Sequence, residues 1–264
     1  MVMVLESLTG LFALAPLAVL VFARIVALFA IGPVLGAAYT PPQVKALLAA
    51  AFTAIILPTQ LAHQAVPPLD GRFIVLVIQE VCTGLALGFF LDLFMQAIRF
   101  GGDLINRHVG FAAAEYFNPD VEDISSPLGD LLHLSAMMVF MLSDGHHYFI
   151  AALSRSYSVA PLGSFAATPQ LYAAIVEGSQ QLFVIALTLS FPVLGVILAL
   201  TLAEGVIVRA VPQINFMHFG FAVKILVGLM VLWAGIPAAV AFLAVVLAGM
   251  QEAGYVLLRC FASA

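Results

Sequence analysis

Charge is what this chain lacks. Only 9% of its 264 residues are Asp, Glu, Lys or Arg, where a soluble domain carries about 25%. Its nine Lys and Arg are scattered and form no basic patch, and the net charge is only -5, so nucleic acid is not an expected partner. The opening stretch MVMVLESLTG has no Lys or Arg and contains Glu6. That is not the positive n-region of a cleaved signal peptide, and the first apolar run is expected to stay in the mature protein. Cysteine is scarce as well. Cys82 and Cys260 each lie in apolar surroundings without metal-ligand spacing, and read as buried thiols behaving as small hydrophobes. There is no nucleotide P-loop, no GxGxxG after a strand and no GxSxG, so nothing points to an enzyme or to a cofactor. The loops show no alternating Lys/Arg bias either: Lys45, Arg72, Arg99 with Arg107, Arg155, Arg209 and Arg259 fall at most two apiece. Membrane orientation is therefore not readable from charge.

What is present is hydrocarbon. Hydrophobic residues make up 64% of the chain and the mean hydropathy is +1.15. This composition specifies an integral membrane protein or a subunit buried in an assembly. Six apolar runs cover roughly 10–36, 44–61, 73–98, 128–153, 180–203 and 219–248. A spanning helix needs about 20 such residues. The second run is short and ends at Pro58, and the first is interrupted by Pro16, Arg24 and Gly32-Pro33. Helix starts are signed by Thr40-Pro41-Pro42-Gln43, an N-cap Thr with Pro at the first helical position and Gln three residues after the cap, and in the same way by Ser125-Ser126-Pro127 with Asp130 in the first turn and by Thr168-Pro169. Gly84 and Gly88 have the GxxxG spacing that lets a second helix approach closely. The expected fold class is all-α: an integral membrane protein of about six hydrophobic segments forming kinked helices and hairpins, in one domain over 1–264.

Charges inside apolar runs mark function or pairing, because they are expensive at membrane depth. Three qualify: Arg24, Glu80 and Asp92. Twelve residues separate the last two, about 18 Å along a helix, so both cannot occupy the bilayer centre. One of them is a transporter's proton or ion site, or they form buried pairs with Arg24 or Arg99 or polar contacts with another subunit. Asp144-Gly145-His146-His147 follows an apolar run at a helix end and reads as capping and hydrogen bonding at a membrane surface; adjacent histidines on a helix point about 100° apart and make poor co-ligands, so no metal is expected there. Residues 101–126, GGDLINRHVGFAAAEYFNPDVEDISS, open on paired glycines and alternate small and aromatic residues. They read as a connecting loop or as a mobile apolar flap. The stretch 205–228, GVIVRAVPQINFMHFGFAVKILVG, sets a polar knot of Arg209, Pro212, Gln213 and Asn215 between two apolar runs. Its amides can satisfy backbone groups freed by a helix break, or a neighbouring subunit.

Four patches together resemble the FliR family of flagellar export-gate proteins and their injectisome relatives. They are Arg24 with IGPVLGAAYTPPQVKALLAAAFTAIILP, then GGDLINRHVGFAAAEYFNP, then SPLGDLLHLSAMMVFMLSDGHHYFIAALSRSYSVAPLG, and VRAVPQINFMHFGFAVKI. Their order and spacing match over essentially the whole chain. The DGHH stretch leans flagellar, whereas NPDVEDISSPLG also resembles the injectisome branch. The resemblance implies a pore-forming subunit of the type III export gate in the bacterial inner membrane, at the flagellar basal body. It further implies FliP-like and FliQ-like partners, an FlhB-like subunit, membrane lipid, and unfolded secreted proteins as cargo. It makes Gly110, Phe111, Tyr116 and Phe117 candidates for a loop that closes the pore. The rival from another class is a secondary transporter of a small solute or proton, using Arg24, Glu80 and Asp92. A third reading is an assembly factor that never touches cargo. No repeat relates 1–130 to 131–264, which counts against the transporter.

Overall fold

The computed structural model describes residues 2–33, 36, 40–62, 64, 66–111, 126–210 and 216–262, with side chains except those of 2–13, 216–219, 251 and 262. Among the described residues there are seven helices and no strand: α1 (Val2–Ile31), α2 (Pro42–Leu61), α3 (Phe73–Val109), α4 (Pro127–Leu142), α5 (Gly145–Val159), α6 (Pro169–Ala210) and α7 (Phe216–Ala262). The chain is therefore all-α. Five of these helices are long and apolar enough to cross a membrane.

The helix boundaries follow from local chemistry. Ser126 caps α4, its Oγ accepting from the Gly129 N–H at 3.2 Å, with Pro127 in the first turn. Thr168 does the same for α6, its Oγ1 accepting from the Leu171 N–H at 3.2 Å. Thr40 does not cap α2. Pro41, extended at φ -57° and ψ 140°, is the residue before the first helical position, so Thr40 lies one residue too far out. Pro16 and Pro58 do not end their helices, which run on to Ile31 and Leu61. A proline removes a single ladder bond and can be accommodated within a membrane helix.

The fourth apolar run is not one span. It divides into α4 and α5 at Ser143-Asp144, where Asp144 takes a left-handed φ of 55°. That conformation suits Asp and ends the helix. Hence five long apolar helices replace the six counted from hydropathy, and α4, at 16 residues, is too short to span on its own.

The chain forms two compact units. The first comprises 1–93, 146–178 and 250–264; the second comprises 94–145 and 179–249. In the first, α1 is the central element: Leu17, Leu20, Val21, Ile25, Leu28 and Phe29 are all buried. Phe29 meets Phe52 of α2 edge-on at 5.7 Å and stacks on Phe149 of α5 at 6.0 Å. In the second unit, α3 touches its neighbours through glycine. A Cβ at Gly101 would meet the Ala186 backbone of α6 at 3.0 Å, and one at Gly102 would meet Gly129 Cα of α4 at 2.6 Å. Small residues here let the helix backbones approach closely. The outer faces of α6 and α7 are apolar and bare: Phe191 is 71% exposed and Trp233 76%. Such surfaces need lipid or protein against them rather than water.

Candidate functional sites

Arg24 and Glu80 form a fully buried ion pair in the first unit. Arg24 Nε donates to Glu80 Oε2 at 2.6 Å and Nη2 donates to Oε1 at 3.1 Å, a bidentate arrangement. Nη1 donates both to Ser156 Oγ at 3.2 Å and to the Ala160 carbonyl at 3.0 Å. The Tyr157 ring stacks under the guanidinium at 4.4 Å. Glu80 takes a third donor, the Gly163 N–H, at 2.7 Å. Burial pushes the Tyr157 phenol well above its usual value, with Arg24 opposing, so it stays neutral and donates to the Val21 carbonyl at 3.2 Å. One cluster thus ties α1, α3, α5 and the α5–α6 turn together.

That turn depends on glycine. Gly163 has φ +74°, and a Cβ there would run into Leu76. α3 and the segment after α2 hold the turn through side chains: Gln79 Nε2 donates to the Phe165 carbonyl at 3.3 Å, and Gln64 Oε1 accepts from the Leu162 N–H at 3.2 Å. The roles of Gln64, Gln79 and Gly163 were not legible in the sequence. A Gln in or beside an apolar run was the available signal.

Gly84 and Gly88 lie where α3 meets α1. A Cβ at Gly84 would collide with the Arg24 carbonyl, and one at Gly88 would meet the Leu28 carbonyl at 2.9 Å. The close approach and the ion pair share a neighbourhood: Glu80, one turn before Gly84, reaches the Arg24 side chain. Asp92 is half-buried and engaged in an interaction of its own. Arg99 pairs instead with Asp130 at 3.0 Å, with both side chains more than 40% exposed (47% and 42%).

In the second unit, α3 ends in a glycine cap. Gly110 has φ +106° and the Phe111 N–H donates to the Asn106 carbonyl at 3.2 Å, the six-to-one bond of a Schellman motif. A Cβ at Gly110 would meet the Phe221 ring of α7 at 3.0 Å, and one at Gly228 would press on Val109. The end of α3 therefore rests on α7, and the chain leaves it at Phe111. Of the candidate loop residues, Gly110 and Phe111 are described; Tyr116 and Phe117 lie outside the described residues, as do Pro212, Gln213 and Asn215 of the polar knot.

Arg209 is exposed in the last turn of α6, where a cation suits the helix dipole. Just inside the hairpin, Lys224 Nζ meets Glu204 Oε2 at 2.9 Å, both largely buried. The sequence reading missed Glu204. A signal existed: Glu204 and Lys224 each lie ten residues from position 214, within the knot, which is how two arms of an antiparallel hairpin would pair. The His146 and His147 rings do not diverge as expected for neighbours on a helix; their centres are 4.2 Å apart. Position 146 lies in the first turn of α5, directly after the left-handed Asp144. Cys82 and Cys260 are half-buried rather than buried.

Helices of this length and apolarity, joined by glycine contacts and a buried ion pair, define a multi-pass all-α membrane protein. The family model described as bacterial export proteins, family 1, matches residues 15–250, and the chain belongs to that family. It is 28% identical over 216 residues to the flagellar biosynthetic protein FliR of Pectobacterium carotovorum subsp. carotovorum, covering 82% of each chain. It is 27% identical over 214 residues to FliR of Escherichia coli (strain K12), covering 81% of this chain and 82% of the relative. Against FliR of Bacillus subtilis (strain 168) the figures are 26% over 223 residues, 83% and 85%. The chain is a flagellar biosynthetic export protein, multi-pass in the bacterial inner membrane, and its role is one of structure and transport.

Proposed function

We propose that this chain is a pore-forming subunit of the flagellar type III export gate, which builds part of a conduit for unfolded proteins and helps keep it shut. The observation that carries the reading is the end of α3. The end of α3, which meets α7 where Gly110 faces Phe221, delivers the chain at Phe111 into the segment holding Tyr116 and Phe117. An apolar loop on a helical stem can close a pore by packing and dewetting. The gate assignment of Gly110, Phe111, Tyr116 and Phe117 is part of this proposal. So are FliP-like, FliQ-like and FlhB-like neighbours, which would cover the bare apolar faces of α6 and α7 together with lipid. The knot of Arg209, Pro212, Gln213 and Asn215 is read as a polar helix break that serves assembly.

The Arg24 cluster argues against the transporter. A carrier site must release its ion or proton, yet both charges here have their faces taken by each other and by Ser156, Ala160, Gly163 and Tyr157. The test is ion leak in cells carrying Phe111→Gly with Phe117→Gly at normal expression. Membrane conductance is expected to rise; unchanged conductance would sink the gate assignment. Co-expression with the FliP-like and FliQ-like proteins, followed by native mass of the purified complex, tests the partners. The chain purifying alone, with neither bound, counts against them.

A further inference from the structure

The second unit contains a cavity of about 290 Å³ between α6 and α7, with Ile105 of α3 and Leu132 of α4 also in its lining. It is a half-open cleft with exposed Thr188 and Pro192 in its wall, so it is free volume beside the two helices and not a closed void. It lies where both of the longest helices are weakest. Pro192 of α6 lines it and cannot donate to the Thr188 carbonyl, so that rung of the ladder is missing. Thr188, also in the lining, turns its Oγ1 back to the Val184 carbonyl at 2.7 Å, and buried Ser190 turns its Oγ to the Leu187 carbonyl at 3.3 Å. Such back-bonding bends helices. On the facing side, Pro237 of α7 removes the rung to the Trp233 carbonyl. Gly235, two residues earlier, lines the cavity with nothing within 4 Å of where its Cβ would stand.

We propose that the α6–α7 hairpin is a hinge that bends at Pro192 and Pro237, and that the cavity is the space into which it bends. Sharp helix bends occur at proline and where side chains enter the ladder, and both conditions meet here beside free volume. Beyond the prolines the two helices are tied by Glu204–Lys224, so bending at the prolines would move 193–210 with 216–236 as one tip. The Phe221 contact with Gly110 lies on that tip, which would couple the hinge to the end of α3. The use of this movement in opening a pore rests on the gate reading above; the movement itself does not.

The experiment is electron–electron distance measurement within α6. Spin labels are placed at Phe183→Cys and Leu202→Cys, exposed positions on either side of Pro192. The full chain carries Cys82→Ala and Cys260→Ala and is purified from membranes with the export components that accompany it. A straight helix would place the two positions about 28 Å apart along its axis. A broad or two-peaked distribution is expected, collapsing to one narrow peak in Gly235→Leu, which fills the cleft, and in Pro192→Ala, which restores the rung. A single narrow peak in the native chain would overturn the hinge. A broad distribution left unchanged by Gly235→Leu would overturn the role of the cavity. Loss of an accompanying component on Gly235→Leu would make the cavity a docking seat and likewise overturn the proposal. Secretion is scored separately: a Gly235→Leu chain that narrows the distribution yet secretes at the native rate leaves the hinge standing and counts against the gate reading.

Discussion

The Arg24 cluster and the α3–α7 region handle buried polarity in opposite ways. Around Arg24, guanidinium and carboxylate are both fully buried and both occupied by named partners. In the second unit, Asp103 Oδ1, Asn106 Oδ1, His133 Nδ1 and Glu204 Oε1 are buried with no hydrogen-bond partner among the described residues, and an apolar cavity lies between α6 and α7. A satisfied buried network rigidifies its surroundings, whereas an unsatisfied one is costly. The contrast separates a fixed frame from a region finished by neighbours or by movement.

The largest expected effect comes from breaking the frame. Arg24→Met strands a buried carboxylate, costing about 3–5 kcal/mol, and folded chain should vanish from the monodisperse detergent fraction on size-exclusion chromatography. Arg24→Met with Glu80→Leu should recover part of that yield, because no lone charge remains. A single variant as abundant as native would erase the distinction. Gly84→Val comes next: its side chain meets the α1 backbone, overpacking that costs about 1–3 kcal/mol and should lower Tm. Gly195→Ala, with open space around its Cβ, is the matching control and should hold Tm or raise it slightly.

Asn106→Leu tests the other side. Replacing an unpaired buried oxygen with hydrocarbon should leave the stability of the chain alone unchanged or raised by about 1 kcal/mol. A clear loss of Tm in the isolated chain would show that Asn106 is as well partnered as Arg24. The smallest effect belongs to Arg99→Ala, since exposed ion pairs contribute about 0–1 kcal/mol. A large fall in Tm there would mean that the exposed pair is part of the frame.

Particular residues show what could be read early. Ser126 and Thr168 were legible as caps because capping is decided within one turn, by a side chain and an N–H three residues on. Thr40 was misread, since two consecutive prolines leave the start of the helix ambiguous by one residue. The division of 128–153 was obscured by hydropathy, which averages over a helix break made by one left-handed Asp144. Among the site residues, Arg24 and Glu80 stood out as rare charges in hydrocarbon, but their pairing, across 56 positions, did not. Ser156, Tyr157 and Gly163 carried no signal of their own, because their roles come from being brought beside that pair.

By itself the sequence determined that the chain is helical and belongs to a membrane, since composition and periodicity are local properties summed along the chain. It also determined where helices could start, where backbones could approach, and which charges must be accounted for. Only the tertiary structure decided that Arg24 answers Glu80, that α3 closes on α7 at Gly110, and that two prolines flank one cavity. Those are contacts between distant segments, and their energies depend on packing that no window of sequence contains.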